Sequence, residues 1–213
     1  VPSLALGVPD VSVYEMVGAF STFANKGVWT KPQFLTRIED KDGDIIVEFI
    51  PETREALREQ TAYVMLDLLK GVTSMNYNAE KGNKPGTAIR IRSAKTKDRP
   101  YGAIPYPIAG KTGTTQNNSD GWFIGITPDL VTGVWVGAED RSVRYDLTTY
   151  GQGANTALPI WGYYMNKVYA DSSIVISRGD FEKPEEPLRI EIDCKEFAKK
   201  NSFNNNSEPN FDN

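Results

Sequence analysis

Histidine is absent from the sequence. That removes the imidazole most often used to move protons near neutral pH, and it excludes Ser-His-Asp and Cys-His schemes built from this chain alone. Proton chemistry is left to lysine, tyrosine and the carboxylates. Cys194 is the single cysteine, so neither an internal disulfide nor a zinc site assembled from several thiolates is expected. It says little about compartment. No apolar run approaches the roughly eighteen residues that span a bilayer, and Val1-Pro2-Ser3 opens neither a basic nor an apolar leader. Because the first residue is not Met, the chain is expected to be a processed or excised piece of a longer protein. Excess positive charge is also lacking. Lys and Arg number 24 against 28 Asp and Glu, mixed along the chain, for a net charge of −4. Such a chain offers no cationic field to phosphates, so nucleic acid is not expected as a partner.

What is present suits a globular chain: 213 residues, 39% of them hydrophobic, can furnish the core of one or two domains. Ser12 and Glu15 have capping-box spacing, flanked by Val11 and Met16 as a candidate hydrophobic staple. Met16, Val17, Phe20, Phe23 and Ala24 then recur on one face, which predicts a helix over residues 13–25. Asn25-Lys26-Gly27 supplies a left-handed stop. Residues 34–39 and 45–49 read as a hairpin around the turn 40–44, with Gly43 where positive φ is expected. Good helix formers from 55 to 70 place Ala62, Met65, Leu66 and Leu69 on one side, and Gly71 ends that pattern. Residues 73–107 are rich in Asn, Lys, Arg, Gly and Pro and read as an exposed excursion, with Gly86-Thr87-Ala88-Ile89 docking back on the body.

Beyond residue 107 the texture changes to three strand-like runs, at 108–112, 122–126 and 130–136. Thr127-Pro128-Asp129 is a tight turn that makes the last two antiparallel. Asn155 is placed to cap a final helix, with Pro159 in its first turn and Leu158, Trp161, Tyr164, Met165 and Val168 on its apolar side. The expected class is therefore α/β of the α+β type, an antiparallel sheet packed against helices. Residues 1–171 form the main body, 172–200 a polar, proline-bearing extension, and 201–213 a tail expected to be disordered.

Lys111-Thr112-Gly113-Thr114 carries the chemistry, but a tripeptide such as Lys-Thr-Gly is weak alone: one occurs by chance in a chain of this size on the order of a few per cent of the time. Its context is more specific. The motif follows Ile108-Ala109-Gly110 and leads into Thr115-Gln116-Asn117-Asn118-Ser119-Asp120-Gly121-Trp122-Phe123-Ile124-Gly125. Farther on stand Thr127-Pro128, Val134-Trp135-Val136-Gly137 and Ala157-Leu158-Pro159-Ile160-Trp161. This ordered set resembles the end of class A penicillin-binding proteins, whose relatives are marked by Ser-x-x-Lys, Ser-Asp-Asn and Lys-Thr-Gly motifs. Ala5-Leu6-Gly7, residues 11–27 and Gly71-Val72 resemble the family's segment between its second motif and its Lys-Thr-Gly strand. The resemblance implies a partial penicillin-binding protein/β-lactamase-like fold, with residues 1–171 as the C-terminal part of a transpeptidase domain.

It also implies roles. Acyl transfer from a D-alanyl-D-alanine stem needs an activated serine, an oxyanion hole and a grip on the terminal carboxylate. Lys111 would place an ammonium near the second motif's serine and the substrate, the catalytic role. Thr112 and Thr114 are candidates to bind the carboxylate through their hydroxyls, with the Thr114 backbone N–H as an oxyanion donor. Gly113 would leave room for peptide or β-lactam against the strand. Asp120 is read as structural, through an Asx-type turn bonded to backbone amides, and Trp122, Trp135 and Trp161 as sheet-to-helix core. Trp29 is too isolated to assign.

The sequence departs from the family's pattern in one respect that matters. No Ser-x-x-Lys occurs, and Ser74-Met75-Asn76 and Ser202-Phe203-Asn204 match Ser-x-Asn in unsuitable places. The nucleophile would lie in preceding sequence, so the isolated chain is expected to be inert while its parent cross-links peptidoglycan and is acylated by β-lactams. No metal and no organic cofactor is implied. Stem peptides and β-lactams are the expected partners, at the outer face of the bacterial cytoplasmic membrane (periplasm), with anchorage only through the parent's N-terminal region. Two alternatives stay open: a carboxypeptidase or β-lactamase relative, and a non-catalytic sensing module. Family topology further implies that the strand 130–136 has lost a partner, so self-association or cover by residues 174–176 or 188–192 is expected.

Overall fold

The computed structural model describes residues 7, 9–75, 85–193 and 196–197. The expectations for Ala5-Leu6, Cys194, Ser202-Phe203-Asn204 and the tail 201–213 lie outside these residues.

The capping box sets the start of the first helix. Ser12 Oγ accepts from the Glu15 N–H, and Glu15 accepts from the Ser12 N–H at 2.8 Å. Helix α1 then runs Val13–Ala24. It is stopped where Lys26 and Gly27 take φ of 54° and 90°, and a Cβ on Gly27 would lie 2.2 Å from the Leu57 carbonyl oxygen. The chain continues as β1 (Val28–Thr30), β2 (Arg37–Glu39), β3 (Ile45–Glu48) and β4 (Thr53–Glu55). The β2–β3 hairpin matches expectation, with Gly43 at φ 90° in its turn. β1 pairs antiparallel with β4, so the second helix, α2, begins at Glu59 rather than near residue 55 and ends at Lys70. Residues 53–55 are Thr-Arg-Glu, too short and too polar a run to signal a strand alone, and pairing with β1 accounts for their extended state.

The central sheet is β5 (Ala109–Thr114), β6 (Gly121–Ile126) and β7 (Val131–Val136), antiparallel in the order β5-β6-β7. The four-residue α3 (Thr148–Gly151) precedes α4 (Ala157–Ala170). Register pairs Lys111 with Ile124 and Thr112 with Phe123, which sorts the two faces. On one face Ala109 and Ile126 cluster with Tyr63 and Leu66 of α2, and with Phe20 and Phe23 of α1. On the other, Phe123 meets Trp161 of α4 edge to face at 5.2 Å between ring centroids. Gly125 makes that contact possible, because a Cβ there would sit 2.3 Å from the Trp161 ring. The sheet is thus a middle layer, α4 on one side and α1 with α2 on the other.

Several local expectations are corrected. The excursion is no exposed loop throughout: Ala88, Ile91, Ile104 and Ile108 are at most 2% exposed and join the α4 core. Asn155 does not cap α4. Thr156 occupies that position but its hydroxyl donates back to the Gln152 carbonyl rather than capping the helix, and Asn155 Nδ2 donates to the Thr149 carbonyl. Tyr164 and Trp135 are exposed, whereas Trp161 is fully buried. Neither 174–176 nor 188–192 forms a strand, so β7 has no outer strand partner among the described residues. The extension instead docks through buried Phe181 and through Asp180, which bonds Lys70 at 2.8 Å.

Candidate active site

β5 pairs only with β6 among the described residues, which leaves its outer N–H and C=O groups without a strand partner. The strand is buried at Ala109 and Gly110 and emerges at Lys111-Thr112-Gly113-Thr114, where no residue is buried. Apolar residues anchor one end of a single strand, and its other end presents polar groups to solvent. All four expected site residues are therefore brought together at one accessible strand end.

Alternation divides them. Lys111 and Gly113 lie on the face of α1 and α2, Thr112 and Thr114 on the face of α4. Lys111 Nζ donates to the Thr112 carbonyl at 2.7 Å and makes no ion pair among the described residues, so the ammonium is held near the strand without a neutralising carboxylate. Thr112 Oγ1 lies 2.8 Å from Thr87 Oγ1. Thr114 Oγ1 accepts from the Gly153 backbone N–H at 3.1 Å. An N–H can only donate, so this bond leaves the Thr114 hydroxyl proton free to point elsewhere.

The glycines have internal reasons. A Cβ on Gly113 would lie 2.9 Å from the Trp122 Cβ, its cross-strand neighbour, so the sheet itself requires glycine there whatever approaches from outside. A Cβ on Gly153 would come within 2.3 Å of the Gly113 and Trp122 carbonyl oxygens. Only glycine lets this segment lie close enough to reach Thr114.

Asp120 locks the connection from β5 to β6, and it does so differently from expectation. Its carboxylate accepts from side chains: Thr115 Oγ1 at 2.9 Å, Ser119 Oγ at 3.3 Å and Trp135 Nε1 at 3.1 Å. Buried beneath the turn, it ties β5, β6 and β7 at the end that carries the motif. Asn117 and Asn118 take φ of 61° and 59° in that turn, a conformation asparagine tolerates better than most residues.

Two site neighbours were not singled out from the sequence. Thr87 lies in a segment that the sequence expects only to dock, and the Gly-x-Gly at 151–153 is a local sign of close backbone approach beside the motif. Among the described residues no group of His, Cys, Asp and Glu converges as a metal site, and no helix is long and apolar enough to cross a membrane.

Comparison with known proteins gives a consistent answer. The penicillin binding protein transpeptidase domain family matches residues 2–155. Penicillin-binding protein 1A of Aquifex aeolicus is 36% identical over 196 residues, covering 92% of this chain and 23% of that protein. The protein of the same name from Clostridium acetobutylicum is 32% identical over 166 residues, covering 78% and 17%. The chain thus spans a quarter or less of the length of these curated relatives. Among solved structures, penicillin-binding protein 1A from Haemophilus influenzae superposes with a TM-score of 0.64 at 20% identity, covering 83% of this chain and 29% of that one. PonA1 from Mycobacterium tuberculosis gives 0.62 at 23% identity, covering 86% and 44%, and has also been solved in complex with penicillin V. At these identities the structures speak for the fold.

Proposed function

The chain belongs to the penicillin-binding protein transpeptidase domain family, and from that premise we propose that it is the C-terminal part of a serine D,D-transpeptidase that cross-links peptidoglycan stem peptides. Residues 1–171 supply the transpeptidase part and 172–200 an extension. The observation that carries the reading is the accessible end of edge strand β5, with a cation and two hydroxyls at Lys111, Thr112 and Thr114.

The chemistry follows from the groups present. An extended stem-peptide end, or a β-lactam that mimics it, lies along the unpaired edge of β5 and completes its ladder. The terminal carboxylate is met by the hydroxyl protons of Thr112 and Thr114, two charge-assisted bonds in addition to attraction by the Lys111 ammonium. The serine, on the parent's preceding sequence, attacks the scissile carbonyl. Its proton passes toward the lysine and serine groups of the site, the leaving amine departs protonated, and the Thr114 N–H faces the developing oxyanion. A second stem's amine then takes the acyl group and frees the serine. The parent works at the outer face of the cytoplasmic membrane, anchored by sequence outside this chain.

The test is acylation by a fluorescent penicillin. The 213-residue chain alone is expected to form no adduct that survives denaturation. In the full-length parent, Lys111→Ala and Thr114→Val are each expected to slow acylation by about 100-fold while thermal unfolding is preserved. Parental rates in both variants would show the roles to be on other residues.

A further inference from the structure

We propose that Thr87 is a positioning residue for the carboxylate-binding hydroxyl of Thr112, an inference that rests on the role given to Thr112 above. The two hydroxyl oxygens are 2.8 Å apart, and Thr87 reaches across from a segment 25 residues earlier.

Thr87 is exposed, yet its backbone is fixed from both sides. Gly86 is pressed onto the turn at Gly71–Thr73, where a Cβ would lie 2.3 Å from the Val72 carbonyl oxygen. The Ala88 N–H donates to that same oxygen at 2.9 Å, and Ala88 is fully buried. Thr73, in the same turn, donates through Oγ1 to the Ile108 carbonyl at 2.8 Å, immediately before β5 begins. One turn therefore sets both the entry of β5 and the position of Thr87. The hydroxyl pair is a built contact between two anchored segments, and burial does not demand it.

Proton counting gives the contact its meaning. The bond between two hydroxyls uses one proton. If Thr112 donates to Thr87, it turns its own lone pairs to the site and repels an anion. If Thr87 donates to Thr112, the Thr112 proton is free, and polarised, for a carboxylate. An arriving carboxylate selects the second arrangement. Thr114 reaches the same state through the Gly153 N–H, which has no alternative direction. Two hydroxyls on one strand face, about 7 Å apart by strand geometry, are then both offered proton first.

The experiment is a double-mutant cycle in the full-length parent, read as stopped-flow acylation by fluorescent penicillin. Thr87→Val keeps the shape and removes the donor. It is expected to weaken binding before acylation by roughly 3- to 10-fold, with the limiting acylation rate unchanged. Thr87→Ser should restore parental behaviour. In a Thr112→Val background, Thr87→Val should cost nothing further, which a purely structural role does not predict. Slow Thr112→Val with parental Thr87→Val, or strictly multiplicative effects of the two, overturns the proposal alone. Parental kinetics in Thr112→Val overturns the carboxylate role and this inference together.

Discussion

The β2–β3 hairpin with its flanks and the excursion 85–108 both mix apolar with charged residues, yet they treat the apolar ones oppositely. In the hairpin and its flanks they are largely exposed: Phe34 is 96% and Ile50 88% accessible, and Ile38, Ile45, Ile46 and Val47 are exposed as well. In the excursion Ala88, Ile91 and Ile104 are at most 2% accessible. Burial follows the availability of a partner surface, not the average hydrophobicity of the segment. The excursion lies over α4 and the sheet, where a few apolar side chains reach a ready-made core. The hairpin projects as a two-stranded ribbon with no helix over it among the described residues.

The sharpest way to break this comparison is to empty the excursion's anchor. Ile91→Ala removes a side chain that is fully buried against the α4 core. It is expected to cost about 3 kcal/mol, lowering the midpoint of thermal unfolding of the chain by roughly 6–12 °C. A shift under about 2 °C would mean that the excursion does not fold as part of the core.

Polar groups do the remaining fastening. Arg92 donates to the carbonyls of Ile104, at 2.8 Å, and of Tyr106, and to Thr73 Oγ1 at 3.1 Å. Burial pulls its guanidinium below the ordinary arginine value, while Tyr169 acts in the opposite sense. Arginine starts so high that it remains a cation at neutral pH. Arg92→Ala leaves acceptors without their donor and is expected to cost about 2 kcal/mol, less than the loss of Ile91. A scan of calorimetric unfolding midpoints for the two variants ranks them directly. If Arg92→Ala proves silent, apolar contact alone holds the loop.

Legibility in the sequence tracks the range of the interactions involved. The capping box at Ser12 and Glu15, the stop at Lys26-Gly27 and the turn at Gly43 are settled within five residues, and each was readable. β6 is readable because both of its faces are covered, which makes it a continuous apolar run with glycines, and β5 and β7 are readable from the apolar residues at 108–110 and 130–136 on either side of it. β4 was not, because its extended state is dictated by β1, some 25 residues earlier. The site splits in the same way. Lys111 to Thr114 form one contiguous motif, whereas Thr87 and Gly153 join it only through the fold. Asp120 is expected from the sequence to bond backbone amides, but its donors are side chains of residues 115, 119 and 135, and the indole at 135 is a tertiary fact.

The smallest expected effect tests the other half of the comparison. The hairpin register passes from Ile38↔Val47 to Glu39↔Ile45, so Ile46 is the extra residue of a bulge and has no cross-strand partner. It is 62% exposed. Ile46→Thr keeps the β-branch that suits a strand, replaces the ethyl arm of an exposed side chain with a hydroxyl, and interrupts no cross-strand pair. The stability change should stay within about 0.5 kcal/mol, roughly 1–2 °C in the unfolding midpoint. The same chemical change at Ile91 would place a hydroxyl in the α4 core and should cost several times more. A loss above about 2 kcal/mol at Ile46 would mean that the hairpin is covered in solution. Repeating the measurement over a tenfold range of protein concentration would then identify a second copy as the cover, because only an association-linked midpoint moves with concentration.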